Sequence, residues 1–158
     1  MGIYNQLMDQ LTDKGALFNV STDRLTTVGG IEVPNKKCII NNNNSQVIGI
    51  VGENYKVVPN EQIFDAFCKS VEASNIDYSD ASVNVSFSNG GARTLVDFTF
   101  PNEELKVKND PSSTILSITT LNSFDGSTRF KTKAGGLRMK CLNGQLLGAI
   151  AGSYSSVH

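Results

Sequence analysis

Residues 82–100 read SVNVSFSNGGARTLVDFTF, and the alternation within them decides the fold. Val83, Val85 and Phe87 alternate with Ser82, Asn84, Ser86 and Ser88, the two-residue period of a strand with one apolar face. After Asn89-Gly90-Gly91 the alternation resumes, with Val96, Phe98 and Phe100 on one face. Asn and Gly accept the backbone of a tight reversal, so the two runs are predicted to pair as an antiparallel hairpin. Such a hairpin leaves one apolar face to cover. Immediately upstream, Ile63, Phe64, Phe67, Cys68 and Val71 fall on one stripe of a helix over Glu61–Ala73. Asn60 fits its N-cap, and Glu61 sits at the positive end of the dipole. Downstream, Thr114–Asn122 is rich in Ile and Thr and reads as a strand, with Leu105–Lys108 a shorter candidate.

Further out the signals thin. Ile3, Tyr4, Leu7, Met8 and Leu11 have helical spacing within Met1–Lys14, and Gly15 fits the position that ends a helix. Residues 19–35 are turn-rich and carry no clear period. Lys37–Ile40 and Gln46–Val51 read as a second hairpin, joined by Asn41-Asn42-Asn43-Asn44-Ser45, where asparagine serves the reversal rather than chemistry. Residues 121–144 supply at least two more strand segments, with Leu137, Met139 and Cys141 facing away from Arg138 and Lys140. Leu146, Leu147, Ile150 and Ala151 suggest a helix stopping at Gly152. The expectation is an α+β fold, a mainly antiparallel β-sheet with one long helix packed on it plus a short N-terminal amphipathic helix, in a single domain spanning 1–158.

Composition narrows the function. The chain has 158 residues, 39% of them hydrophobic, enough for one ordinary core. No apolar run approaches membrane-spanning length and the start lacks a signal-peptide pattern, so a cytoplasmic protein without a membrane partner is expected. Cys38, Cys68 and Cys141 are odd in number and widely spaced, fitting buried thiols in a reducing compartment. Cys68 falls on the apolar stripe, which argues against a reactive thiol. The single His is His158, and no Cys-x-x-Cys occurs, so a structural zinc site is not expected and no Ser/His/Asp or Cys/His set can be assembled without that terminal residue. Gly29-Gly30, Gly90-Gly91 and Gly135-Gly136 lack the spacing of a phosphate-binding loop. Asp125-Gly126 reads as a turn. The expectation is a non-enzyme without a cofactor.

Charge is the remaining clue. Net charge is −1, yet all 15 acidic residues precede Arg129, while five of the 14 Lys and Arg follow residue 128. Within Leu121–Gly144, LNSFDGSTRFKTKAGGLRMKCLNG, a strand would place Arg129, Lys131 and Lys133 on one face at intervals of ~6.6 Å. An extended single strand of nucleic acid spaces its phosphates similarly. Arg129, Lys131, Lys133, Arg138 and Lys140 are therefore the candidate nucleic-acid contacts, with Phe124 and Tyr55 near turns as candidate stacking residues. Phe130 should face the opposite way, into the core. The plainer reading is a solvated strand face paired with acids on a neighbour.

Gly49-Ile-Val-Gly-Glu-Asn-Tyr55 with Pro59-Asn60, Gly90-Gly-Ala-Arg-Thr-Leu95, Asn122-Ser-Phe-Asp-Gly126 and Arg138-Met-Lys-Cys141-Leu-Asn143 occur in that order. Over roughly residues 30–158 this set resembles the phage/plasmid-like protein family known as a domain of unknown function (number 932). Members are usually longer, with a further helical part, so the resemblance implies an N-terminal portion or a compact relative, in a host-cell cytoplasm if phage-encoded. Where the family often has His in its Asn-Ser-His-Asp-Gly segment, this chain has Phe124, so a general base there is lacking. The family brings no activity. By fold-level analogy, phage proteins of this size that mix a hairpin sheet with a helix include single-strand annealing proteins. The expected function is thus a single-stranded DNA-binding or strand-annealing module that forms homo-oligomers head to tail. The alternative is a non-enzymatic self-assembling or protein-interaction module with the basic strand at a protein interface.

Overall fold

The computed structural model describes residues 2–105, 108, 114–128, 130–138 and 152–156, with 137–138 and 152–156 as backbone only. The order is α1 (Ile3–Asp13), β1 (Val20–Thr26), β2 (Glu32–Asn41), β3 (Gln46–Gly52), α2 (Asn60–Glu72), β4 (Ser82–Ser88), β5 (Arg93–Glu104), β6 (Thr114–Ser123), β7 (Phe130–Arg138) and β8 (Gly152–Ser156). A 3-10 turn, Asn89–Gly91, joins β4 to β5. The strands form two antiparallel meanders, β1-β2-β3 and β4-β5-β6-β7-β8.

The main core lies on one face of the five-stranded sheet. Val83 of β4, Val96, Phe98 and Phe100 of β5 and Ile118 of β6 meet Ile3, Leu7 and Leu11 of α1 and Phe64, Cys68 and Val71 of α2. Each large side chain so buried contributes about 1.5–3 kcal/mol relative to exposure. The Phe67 ring lies 4.2 Å from that of Phe98, centroid to centroid. Gln10 of α1 extends this packing to the sheet edge. Its carboxamide accepts from the Val83 N–H at 3.0 Å and donates to the Ala81 carbonyl at 3.0 Å, as a neighbouring strand would. A second core joins the three-stranded sheet to the turns at one end of the larger sheet: Phe18, Ile39, Ile48 and Val51 pack with Ala92 and Phe124.

Several expectations stand corrected. The long helix and the short N-terminal one expected from the sequence are of similar length, 13 and 11 residues, so no one long helix dominates and the fold is more sheet-dominated than expected. The strands divide into two sheets rather than one. Asn60 is not the N-cap; Pro59 holds that position, and Asn60 begins the helix with its side chain turned inward. The unassigned residues 19–35 contain β1 and the start of β2. Phe87, expected with the core, lies at the far end of β4 and is 45% exposed. Other readings match the structure. α1 ends in a Schellman turn, with Gly15 at φ 72°, the Ala16 N–H on the Leu11 carbonyl and the Gly15 N–H on that of Thr12. Both hairpins form, although Ser45, not an asparagine, takes the positive φ of the second. The helix expected over 146–151 and the facing of Met139, Lys140 and Cys141 lie outside the described residues, as do residues 106 and 107 of the short strand expected over Leu105–Lys108.

Candidate functional site

Strand β7 runs between β6 and β8. Lys131 lies opposite Leu121 on one side and Ser155 on the other, and Lys133 opposite Thr119 and Ser153. Both lysines are exposed, while Phe130, Thr132 and Ala134 between and beside them are half-buried, and Ala134 packs against the main core. The predicted alternation is therefore present, with Phe130 only half-buried. Residues paired directly across a sheet share a face. One row of the lysine face thus runs Lys133, Thr119, Asp97, Asn84, and the next runs Lys131, Leu121, Leu95, Ser86. The row beyond contains Ser123, Arg93 and Ser88. Neither helix covers this face, since both pack on the opposite one.

Arg93 is a cation that sequence reading missed. It is exposed on β5, and its Nε donates to Ser127 Oγ at 2.8 Å. Two strands and two residues separate it from Lys131, about 12 Å on a regular sheet. The signal was available, because Arg93, Leu95 and Asp97 alternate with Thr94, Val96 and Phe98. Of the other candidates, Arg129 and Lys140 lie outside the described residues, and Arg138 is placed only by its backbone, opposite Thr114.

Local charge favours accessible lysines. Among the described residues the salt bridge within 4.0 Å is Lys69 to Asp65, on α2. Asp97 shares the row of Lys133 but lies two strands away, about 10 Å, and its Oδ1 accepts from Thr119 Oγ1 at 2.6 Å. Among the described residues, no group of three or more His, Cys, Asp or Glu is placed to hold a metal ion.

The aromatic candidates go elsewhere. Phe124 is 1% exposed and packs against Phe18 at 5.6 Å, so the stacking role expected of it is corrected: no ring face is left for a base. Tyr55 is half-buried against the second core, where burial first, and the Asp125 carboxylate second, raise its hydroxyl pKa. Burial likewise pushes the Cys68 thiol up to about 12, as suits a structural cysteine. Asp125 makes the expected turn, accepting from the Ser127 N–H at 2.8 Å, with Gly126 at φ 71°.

The motifs quoted from the sequence converge on a buried polar cluster. Asn60 Nδ2 donates to the Ala16 carbonyl and to Thr94 Oγ1, both at 3.0 Å. Asn60 Oδ1 accepts from Asn122 Nδ2 at 2.8 Å, and Asn122 also reaches the Val58 carbonyl at 3.3 Å. Asn60, Thr94 and Asn122 are at most 1% exposed. Beside them, Gly49 lies against the backbone of Phe124 and Asp125. The family model described as Domain of unknown function (DUF932) matches residues 47–158, more than half of the chain. The protein belongs to the DUF932 family. The match begins at Val47, seventeen residues beyond the expected start, so α1, β1 and β2 precede the DUF932 region. No curated protein and no solved structure matches the chain. No helix among the described residues is long and apolar enough to cross a membrane.

Proposed function

We propose that the face of the five-stranded sheet opposite the helices binds the phosphate backbone of single-stranded DNA, as a binding or strand-annealing module of phage or plasmid type. The observation that carries this reading is the pair Lys131 and Lys133, exposed two positions apart on one strand face, with no ion pair to a described carboxylate. Arg93 extends the cationic track across the sheet. Contacts of this kind are independent of sequence and weaken with salt. The test is binding of a labelled oligonucleotide across a salt series. Three phosphate contacts on a single strand give a log–log slope of roughly −2, at about 0.7 per phosphate. Lys131→Glu with Lys133→Glu should abolish most of the binding; unchanged affinity in that double variant removes the assignment.

A second reading, a self-assembling module, is favoured by a different observation. Val47 and Ile50 are exposed on β3, where Val47 faces Ile40 and Ile50 faces Cys38, and Val28 and Ile31 are exposed in the β1–β2 connection. Exposed apolar side chains on a strand and an adjoining turn can be buried by another protein. Oligomers on a sizing column that persist at both low and high salt, without DNA binding at either, would favour this module over the first.

A further inference from the structure

A cleft at the β4–β5 turn, of about 270 Å³, is lined by Phe18, Asn41, Asn43, Asn44 and Phe87 together with Gly15, Gly90 and Gly91. It lies off the lysine face, because Phe87 shares the opposite side of β4 with Val83 and Val85. Four observations define what it can hold. Its lining carries no charged side chain, so an ionic group has no partner inside it. Its volume is below the roughly 300–1,000 Å³ of sites for drug-sized ligands, which suits a single ring system. Phe87 offers an accessible ring surface and is braced by an edge-on contact with Phe18, at 6.0 Å and 63°. Finally, the walls are held in place. Asn41 Nδ2 and Asn44 Nδ2 both donate to the Gly90 carbonyl, at 3.0 and 3.1 Å, and Asn41 Oδ1 accepts from the Asn43 N–H.

Asn44 Oδ1 is in turn occupied by the Gln46 N–H. The asparagine run therefore divides its labour: Asn41 and Asn44 fasten the β2–β3 turn to the β4–β5 turn, while Asn43 is exposed and lines the cleft. A carboxamide pairs a donor with an acceptor and so matches the amide-like edge of a planar heterocycle. We propose that this cleft binds one nucleobase, stacked on Phe87 and read at its edge by Asn43. The base arrives either as a free nucleoside or as one residue of a polynucleotide.

The test titrates the four nucleosides, and separately a short single-stranded oligonucleotide, into the isotopically labelled chain and follows its amide resonances. Shifts of the Gly90 and Gly91 N–H and of the Asn43 side-chain amide with nucleosides identify a free ligand. Shifts with the oligonucleotide alone identify a base carried by a strand. Phe87→Ala should then cost roughly tenfold or more in affinity, as loss of a stacking face does. Phe87→Leu, which keeps apolar bulk without the ring, should lose affinity similarly, and Asn43→Ala should weaken binding and alter the preference among bases. Thermal unfolding of each variant checks that the fold is retained. Absence of shifts with both probes at millimolar concentration overturns the proposal, as does affinity unchanged in Phe87→Leu and Asn43→Ala.

Discussion

Asn60 shows how one residue can carry two contradictory signals. By position it fits a helix cap, and by composition it fits a solvated surface, yet it is fully buried with both carboxamide ends engaged. The difference is tertiary: the cap alternative competes with partners 34 and 62 residues away in the chain, which local pattern does not reveal. Asn122→Ala leaves the buried Asn60 Oδ1 and the half-buried Val58 carbonyl without this donor, and should destabilise the fold by about 1–3 kcal/mol. Asn60→Ala should cost a similar amount, and the double variant less than the two combined, because each single change already breaks their shared bond. Urea unfolding midpoints of the three variants measure this. A second residue-scale prediction concerns pH. Tyr4 donates to Asp65 Oδ1 at 2.6 Å and Lys69 to Oδ2 at 2.8 Å, tying α1 to α2. Lys69 first, then Tyr4, holds the Asp65 pKa below its ordinary 3.8. The bond to Asp65, with burial and neighbouring charge, raises Tyr4 from 10 to about 12. A depressed carboxylate stabilises above its unfolded value and loses that contribution as pH falls through the folded one. A raised phenol stabilises below 10 and loses its contribution as pH climbs towards 12. Asp65→Asn should therefore flatten both the acid and the alkaline limb of stability against pH.

At the scale of elements, the hairpin over 82–100 was legible because alternation, turn residues and length agree, and the β4–β5 register follows from them. The same holds for the apolar stripes of α1 and α2. The division into two sheets was not legible, because a strand's partner is set by long-range packing rather than by its own period. The join between the sheets depends on close approach. At Gly49 of β3, an added Cβ would sit 2.3 Å from the Phe124 carbonyl oxygen, a backbone atom that cannot swing aside. Gly49→Ala should force β3 away from the 122–126 turn and cost about 1–3 kcal/mol or more, as overpacking does. Gly52→Ala, three residues along the same strand and with open space around its Cβ position, is the control expected to be nearly neutral. Chemical denaturation compares them. If the two variants prove equally stable, the contact between β3 and the Phe124 turn is not what unites the sheets.

For the whole molecule, composition alone counts against the proposed reading: a net charge of −1 argues against binding an anionic polymer. Binding depends instead on where charge sits, and here the fold separates what the chain intermixes. The meander brings Arg93, from the middle of the acid-rich portion, onto the face that carries Lys131 and Lys133, while both helices take the other side. Asp97 is the opposing feature, a half-buried carboxylate in the same row as Lys133. At about 10 Å the pair is near one Debye length at physiological salt, so the carboxylate partly cancels the field a phosphate would meet. On the proposed reading Asp97→Asn should tighten single-stranded DNA binding by roughly threefold to tenfold at low salt, with the gain shrinking as salt rises. Thr119 Oγ1 can donate to the amide oxygen as it does to the carboxylate, so the sheet should keep its stability. Fluorescence anisotropy at two salt concentrations, beside an unfolding curve, decides it. Affinity that stays level or falls in a stably folded Asp97→Asn protein would mean that the strand does not run across this row. The track would then have to lie along β7 alone, where the Lys131 and Lys133 single variants would carry nearly all the loss.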